Sequence, residues 1–216
     1  MGCDTLSGID RLVDELKKLK EGPTGDVVRR RMNEFELLGR GTEEDLFKEL
    51  CFCILTANYS AERGIRIQKE IDLGFLSLPL DELARKLREL GHRYPEIRAK
   101  YIVEARKYLG KLKKVLESFD DEALLRDWLV KNVKGLGYKE ASHFLRNIGF
   151  KNIAIIDFHI IDLLVKYGII ERPRSLTKKK YMEIEDILRK IAEISGLTLA
   201  ELDLYLWHME TGKILK

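Results

Sequence analysis

Apolar residues recur three and four positions apart along nearly the whole chain, with charged residues between them, and this periodicity predicts an all-α fold. Segments 9–20, 43–57, 80–90, 96–116, 121–132, 138–148, 158–167, 177–195 and 198–209 carry the pattern, which makes about ten helices the expectation. In 97–108, Ile97, Tyr101, Ile102 and Ala105 share one face, with charges opposite. Thr42 with Asp45, Asp121, and Thr198 with Glu201 stand where helix N-caps and first-turn acids belong. Breaks fall at Gly22-Pro23, Gly39 to Gly41, Leu78-Pro79, Gly91 to Pro95, Gly135 to Gly137, Gly149, Gly168 and Pro173.

A chain of 216 residues can bury a real core, as one compact unit or two small lobes. No run approaches the ~20 consecutive apolar residues of a membrane span, so no membrane partner is expected. The opening MGCDTLSGIDRLVDELKKLK has early acids and no apolar stretch, so it does not read as a secretory signal. Met1-Gly2-Cys3 faintly resembles a lipidation start, but small residues after a start methionine are the plainer reading. Three cysteines do not make a disulfide framework. Cys51 and Cys53, inside FKELCFCILTA, read as small hydrophobes. Four metal-ligating cysteines are not available, so no metal site is expected, and a reducing, cytoplasmic setting follows.

The net charge of +3 is too small to argue for nucleic acid, but it is unevenly placed. Between Arg126 and Lys151 six basic residues (Arg126, Lys131, Lys134, Lys139, Arg146, Lys151) face two acids (Asp127, Glu140), so that segment carries +4 and the rest −1. A solvated helix face could look the same. Residues 122–149 read as helix, tight turn, helix: EALLRDWLVKN, VKGLG, YKEASHFLRNIG. Gly135 and Gly137, flanking Leu136, permit a sharp bend with positive φ and bare the amides that start the second helix. Such amides form an anion site suited to a DNA phosphate, and Lys134 adds charge.

In the second helix Ala141, Phe144, Leu145 and Ile148 form one apolar stripe, and Lys139, His143 and Arg146 are expected to point away from it. Lys139 then sits exposed in a helix's first turn, where added positive charge is disfavoured, as a nucleophilic or Schiff-base lysine requires. A surface lysine is also an ordinary solubilising group. Eighteen residues on, Asp157 stands between the apolar stretches 153–156 and 158–165, placed to cap the following helix. So much apolar surface around a carboxylate suggests a second use, as base or stabiliser of positive charge. His159 suits a phosphate contact or simple packing at a helix start.

Gly135-Leu136-Gly137-Tyr138-Lys139 followed by Asp157-Phe158-His159 resembles the helix-hairpin-helix DNA glycosylase superfamily, with its hairpin, catalytic lysine and catalytic aspartate. Within it the chain is most similar to the short type-2 8-oxoguanine DNA glycosylases of archaea and some thermophilic bacteria, through the ending Asp203-Leu204-Tyr205-Leu206-Trp207 to Lys216. The resemblance implies two helical lobes gripping DNA, one of residues 40–149 ending in the hairpin of about 121–149, the other of 1–39 with 150–216. It implies a bifunctional glycosylase/AP lyase acting on double-stranded DNA with oxidised guanine, through a Lys139 Schiff base, Asp157 and β-elimination. Lys134, Gly135, Gly137 and His159 would hold the DNA backbone. Trp207 would stack on the extruded purine, and the main-chain carboxylate of Lys216 would meet its Watson–Crick edge. Asn58, in Leu55-Thr56-Ala57-Asn58, would fill the gap left by the base, and Tyr94 would wedge beside the orphaned partner. The four-cysteine iron–sulfur loop of the endonuclease-III-like branch is absent. No organic cofactor is expected; a monovalent cation at the hairpin is left open. A monomer working in the cytoplasm is the expected form.

Rival readings remain on the sequence alone. A glycosylase for oxidised pyrimidines or alkylated bases would use the same hairpin and aspartate, and a monofunctional enzyme would not need Lys139. A non-enzymatic hairpin module would keep the glycines and positive charge but have no use for the Lys139/Asp157 pair.

Overall fold

The protein, described by a computed structural model over residues 7–216, is helical, with no strand among the described residues. The helices are α1 Gly8–Glu21, α2 Pro23–Gly39, α3 Glu43–Thr56, α4 Ala61–Ile71, α5 Gly74–Ser77, α6 Leu80–Glu89 and α7 Pro95–Ala105. They continue with α8 Leu112–Glu117, α9 Glu122–Asn132, α10 Tyr138–Asn147, α11 Phe158–Lys166, α12 Lys178–Ser195 and α13 Leu199–Thr211. None of these is long and apolar enough to cross a membrane. The Met1-Gly2-Cys3 reading concerns residues outside the described ones.

Local chemistry starts these helices where the sequence says it should. Thr42 accepts from the Asp45 amide at 3.1 Å while Asp45 accepts back, and Thr198 and Glu201 do the same. Asp121 caps α9 through the amides of Ala123 and Leu124. Each such cap stabilises by about 1 kcal/mol.

Elsewhere distant residues decide. The periodicity predicts one helix over 96–116, but the chain leaves α7 through a 3₁₀ turn at Arg106–Tyr108 and takes φ +75° at Gly110. A new helix starts at Leu112 because Glu43 accepts its amide and that of Lys113, at 3.1 and 3.0 Å. Those orphan first-turn donors find a carboxylate some seventy residues away, which no local pattern reveals. The helices α2, α4 and α5 are additions to the sequence reading. Pro23 at the first position of α2 suits a helix start, having no amide to satisfy.

The chain divides into two compact units, with division points after Glu34, inside α2, and after Phe150. One unit holds residues up to Glu34 with Lys151–Leu215, and in it α12 packs against α1 and α13, and α11 against α13. The other holds Phe35–Phe150 and Lys216. Its axis is α3, which touches α4, α5, α7, α8 and α10 and is buried on every side from Glu49 to Thr56. A helix wrapped in this way carries apolar residues all round, as ELCFCILT nearly does.

Candidate functional site

The hairpin joins α9 to α10 within the second unit. Gly135 adopts φ +91°, and a Cβ there would lie 2.6 Å from the Tyr101 ring. Gly137 does not share that role: its φ of −90° and ψ of −172° are extended, and a Cβ would meet only the Glu140 carboxylate, at 3.1 Å. The expected positive φ thus belongs to Gly135 alone. Nor are the first-turn amides all bare, since Glu140 reaches back to accept the Gly137 N–H at 3.2 Å. Tyr138 donates to Asp127 at 2.7 Å and lies beneath the Arg126 guanidinium, which bonds Ser142, so the two hairpin helices are clamped.

The basic segment is less of a surface than its charge suggests. Arg126 is fully buried and Arg146 nearly so, the latter stacked on Phe35, while Lys134 is exposed and paired with Glu104 at 2.9 Å. His143 and Arg146 were expected to face outward. They do not, because α3 and α9 pack on α10 and Phe35 and Lys216 cover what remains. Lys139 stays accessible, its side chain 27% exposed and its Nζ 3.6 Å from Glu140.

Behind Lys139 lies a buried histidine. The His143 ring meets Phe52 edge-on at 5.6 Å, and neither ring nitrogen has a hydrogen-bond partner of normal geometry among the described residues. Burial holds its pKa well below 6.5, the nearby charges of Arg146 and Lys139 push it the same way, and the approaching Lys216 main chain opposes them. The unfolded chain takes this proton near pH 6.5 and the folded chain does not, so the contribution to stability is intact above that pH and lost below it. Parent protein should therefore lose stability from pH 7 to 5 more steeply than His143→Leu, by up to ~1 kcal/mol per pH unit in thermal melts. Equal slopes would mean that His143 is protonated in the folded chain.

Two loops of the same unit are laced together. Asn58 is exposed with φ +55°, a left-handed conformation that asparagine tolerates. His92 pairs with the Leu55 carbonyl and accepts the Tyr94 amide, both at 3.0 Å, while Arg98 donates to the Ala57 carbonyl at 2.7 Å. Tyr94 is 36% exposed, with Arg93 and Arg98 over its ring. The Asn58 turn and the Tyr94 loop are thus held by His92 and Arg98, neither of which the sequence reading singled out.

The first unit supplies Asp157, Phe158, His159 and Trp207. Asp157 caps α11, accepting the Ile160 amide at 3.1 Å, and is half-buried. The extended stretch before it is pinned from α12: the Tyr181 hydroxyl donates to the Ala154 carbonyl at 2.8 Å and accepts the Ile156 amide at 3.1 Å, and Glu185 accepts the Ala154 amide. His159 lies 4.7 Å edge-on to Trp207 and 4.0 Å from Phe158, a residue 63% exposed. The Trp207 indole N–H has no partner among the described residues.

Lys216 belongs with the hairpin unit. Its Nζ contacts Glu49 at 2.6 Å and the Gln68 carbonyl, and sits 4.3 Å over the Phe52 ring. Cys51 and Cys53 are free and buried, and burial pushes both thiols up. Among the described residues no three His, Cys, Asp or Glu are grouped to hold a metal ion.

A glycine turn between the clamped helices α9 and α10 makes this a helix-hairpin-helix protein. The family model for 8-oxoguanine DNA glycosylase matches residues 28–197, and the chain belongs to that family. It is 58% identical over 210 residues to the 8-oxoguanine DNA glycosylase/AP lyase of Korarchaeum cryptofilum, covering 97% of this chain and all of that one. It is similar to the crystal structure of the Methanocaldococcus jannaschii 8-oxoguanine glycosylase/lyase in complex with a 15mer DNA containing 8-oxoguanine. That likeness has a TM-score of 0.92 and 51% identity, over 95% of this chain and 100% of that one. The 8-oxoguanine DNA glycosylase of Thermotoga maritima gives a TM-score of 0.89 at 52% identity, over 96% and 100% of the two chains.

Proposed function

We propose that this protein is a bifunctional 8-oxoguanine DNA glycosylase/AP lyase of base excision repair, working as a monomer on duplex DNA in the cytoplasm. The observation that carries the reading is end-to-end similarity, at more than half identity, to a relative bearing that name. Lys139 attacks the sugar C1′ as the glycosidic bond breaks and the base leaves with the bonding electrons, taking up a proton. Asp157 stabilises the positive charge that develops on the sugar. Ring opening yields an imine between Lys139 and C1′, which makes the C2′ proton acidic. Its loss expels the 3′ phosphate, and water then hydrolyses the imine and frees the amine. These steps need no organic cofactor. Gly135, Gly137, Lys134 and His159 hold phosphates, Trp207 and Lys216 take the extruded base, and Asn58 and Tyr94 occupy the gap in the helix. Incision of duplexes carrying 8-oxoguanine, thymine glycol, uracil or alkylated adenine tests the whole reading. Cleavage is expected at 8-oxoguanine; preference for another lesion would overturn it.

The hairpin glycines separate fold from grip. Gly135→Val puts a β-branched residue at φ +91° against Tyr101, and should lower stability by ~2 kcal/mol or more. Gly137→Val, in extended backbone, should melt within a few degrees of the parent yet bind damaged and undamaged duplex alike more weakly, because the hairpin grips phosphate and reads no base. A Gly137→Val protein that bound normally would remove Gly137 from the interface.

A further inference from the structure

Glu49 is a buried carboxylate, 2% exposed, in the most enclosed helix of its unit. Burying a carboxylate is costly unless it is paired and fully hydrogen-bonded. Three donors converge on it: the Lys216 ammonium and the Asn147 amide, each at 2.6 Å, and the Gln68 amide at 3.1 Å. Gln68, the chain's single glutamine, also donates to the Lys48 carbonyl at 3.0 Å, which turns its own carbonyl toward the Lys216 ammonium. Phe52 offers its ring face to that ammonium and its neighbourhood to His143, whose other neighbour is the Lys216 main chain. The result is a socket of two acceptors, an aromatic face and a histidine, closed around one residue.

The occupant is unusual. Helix α13 ends at Thr211, Gly212 turns left-handed with φ +72°, and residues 213–216 have no regular structure. Such a segment frays unless side chains tie it down. Here the Lys216 side chain is only 19% exposed and its partner carboxylate 2%. A neutral acceptor would satisfy the Asn147 and Gln68 amides, so it is the Lys216 ammonium that the charge on Glu49 answers.

We propose that Glu49 is a positioning residue for base recognition, holding the Lys216 ammonium so that the Lys216 main chain is fixed where it meets the extruded base. Gln68 is the second point of the socket. The proposal rests on the reading of Lys216 as a base-recognition residue. It predicts that Glu49 acts through Lys216 and through nothing else.

The test is a set of four variants, Glu49→Gln, Lys216→Met, their double, and Gln68→Met, compared with the parent and with protein lacking Lys216. Single-turnover excision of 8-oxoguanine, borohydride trapping on a pre-formed abasic duplex, and thermal melting are read for each. Glu49→Gln should slow excision about tenfold, the worth of a charge-assisted hydrogen bond, while trapping on the abasic duplex suffers far less. The double variant should be no slower than Lys216→Met alone, because two residues acting as one unit do not multiply. Gln68→Met should show a smaller loss of the same kind, and it serves if the Glu49 variant does not fold. Multiplying defects, or an equal fall in trapping and excision, would overturn the proposal, the latter by making Glu49 a support of Lys139 or of the fold. Normal excision by protein lacking Lys216 would overturn the base-recognition reading itself, and this proposal with it.

Discussion

Lys139→Gln protein will form no borohydride-stable adduct with a duplex carrying 8-oxoguanine, and its strand incision will fall by at least about 10³-fold. An amide nitrogen's lone pair is delocalised into its carbonyl and does not attack C1′, so the covalent route closes. The fold should survive: Lys139 makes a 3.6 Å approach to Glu140 at a partly exposed position, an ion pair of a kind worth at most ~1 kcal/mol. Melting and binding to undamaged duplex should therefore stay close to the parent's. A persisting adduct would name another amine, and Lys216 is the first to examine, since Cys53 and His143 each feel the charges of both lysines. The surroundings argue against it. The Lys216 Nζ is held by Glu49, Gln68 and the Phe52 face, whereas Lys139 stands in a helix's first turn with a loose 3.6 Å approach to Glu140.

Asp157→Asn should lose at least ~100-fold in excision while melting within about 2 °C of the parent. Both side chains present an oxygen to the Ile160 amide, and asparagine caps helices about as well as aspartate, so the local structure is kept. What disappears is the negative charge proposed to meet positive charge on the sugar. Asp157→Ala removes cap and charge together, and should cost a further ~1 kcal/mol of stability without a further loss of rate. Asparagine as destabilising as alanine would mean that the carboxylate's charge stabilises the helix end. Near-normal excision by Asp157→Asn would remove Asp157 from the chemistry.

Much of the candidate site's local structure was legible, because turns and caps are made by residues close in sequence. Gly135 and Lys139 are four residues apart, and a turn followed by a helix start needs no distant information. Asp157 could be read as a cap because a cap is made by a side chain and an amide three residues on. The pairs Thr42/Asp45 and Thr198/Glu201 were legible for the same reason. What the local pattern misjudged is the far side of α10. Periodicity sets His143 and Arg146 opposite the apolar stripe and calls that face wet, yet α3, α9, Phe35 and Lys216 cover it. Helical spacing says which residues share a face, but not how many faces are covered.

The supporting residues were beyond the sequence for a related reason. Glu43 starts a helix at Leu112, Tyr181 and Glu185 pin the strip ahead of Asp157, and His92 and Arg98 tie the Asn58 turn to the Tyr94 loop. Each is an ordinary polar residue whose partner lies some twenty-five to seventy positions away. A faint signal existed for one: Glu49 is the single acid inside FKELCFCILTA, and an acid in an apolar run must find a donor. By itself the sequence determined the helices other than α2, α4 and α5 and the break before α8, the caps at Thr42, Asp121, Asp157 and Thr198, and the hairpin turn, because these follow from interactions between residues a few positions apart. Only the tertiary structure decided which charges are buried and what holds each loop and Lys216 in place, because a buried polar group takes whatever partner the packing brings, at any separation along the chain.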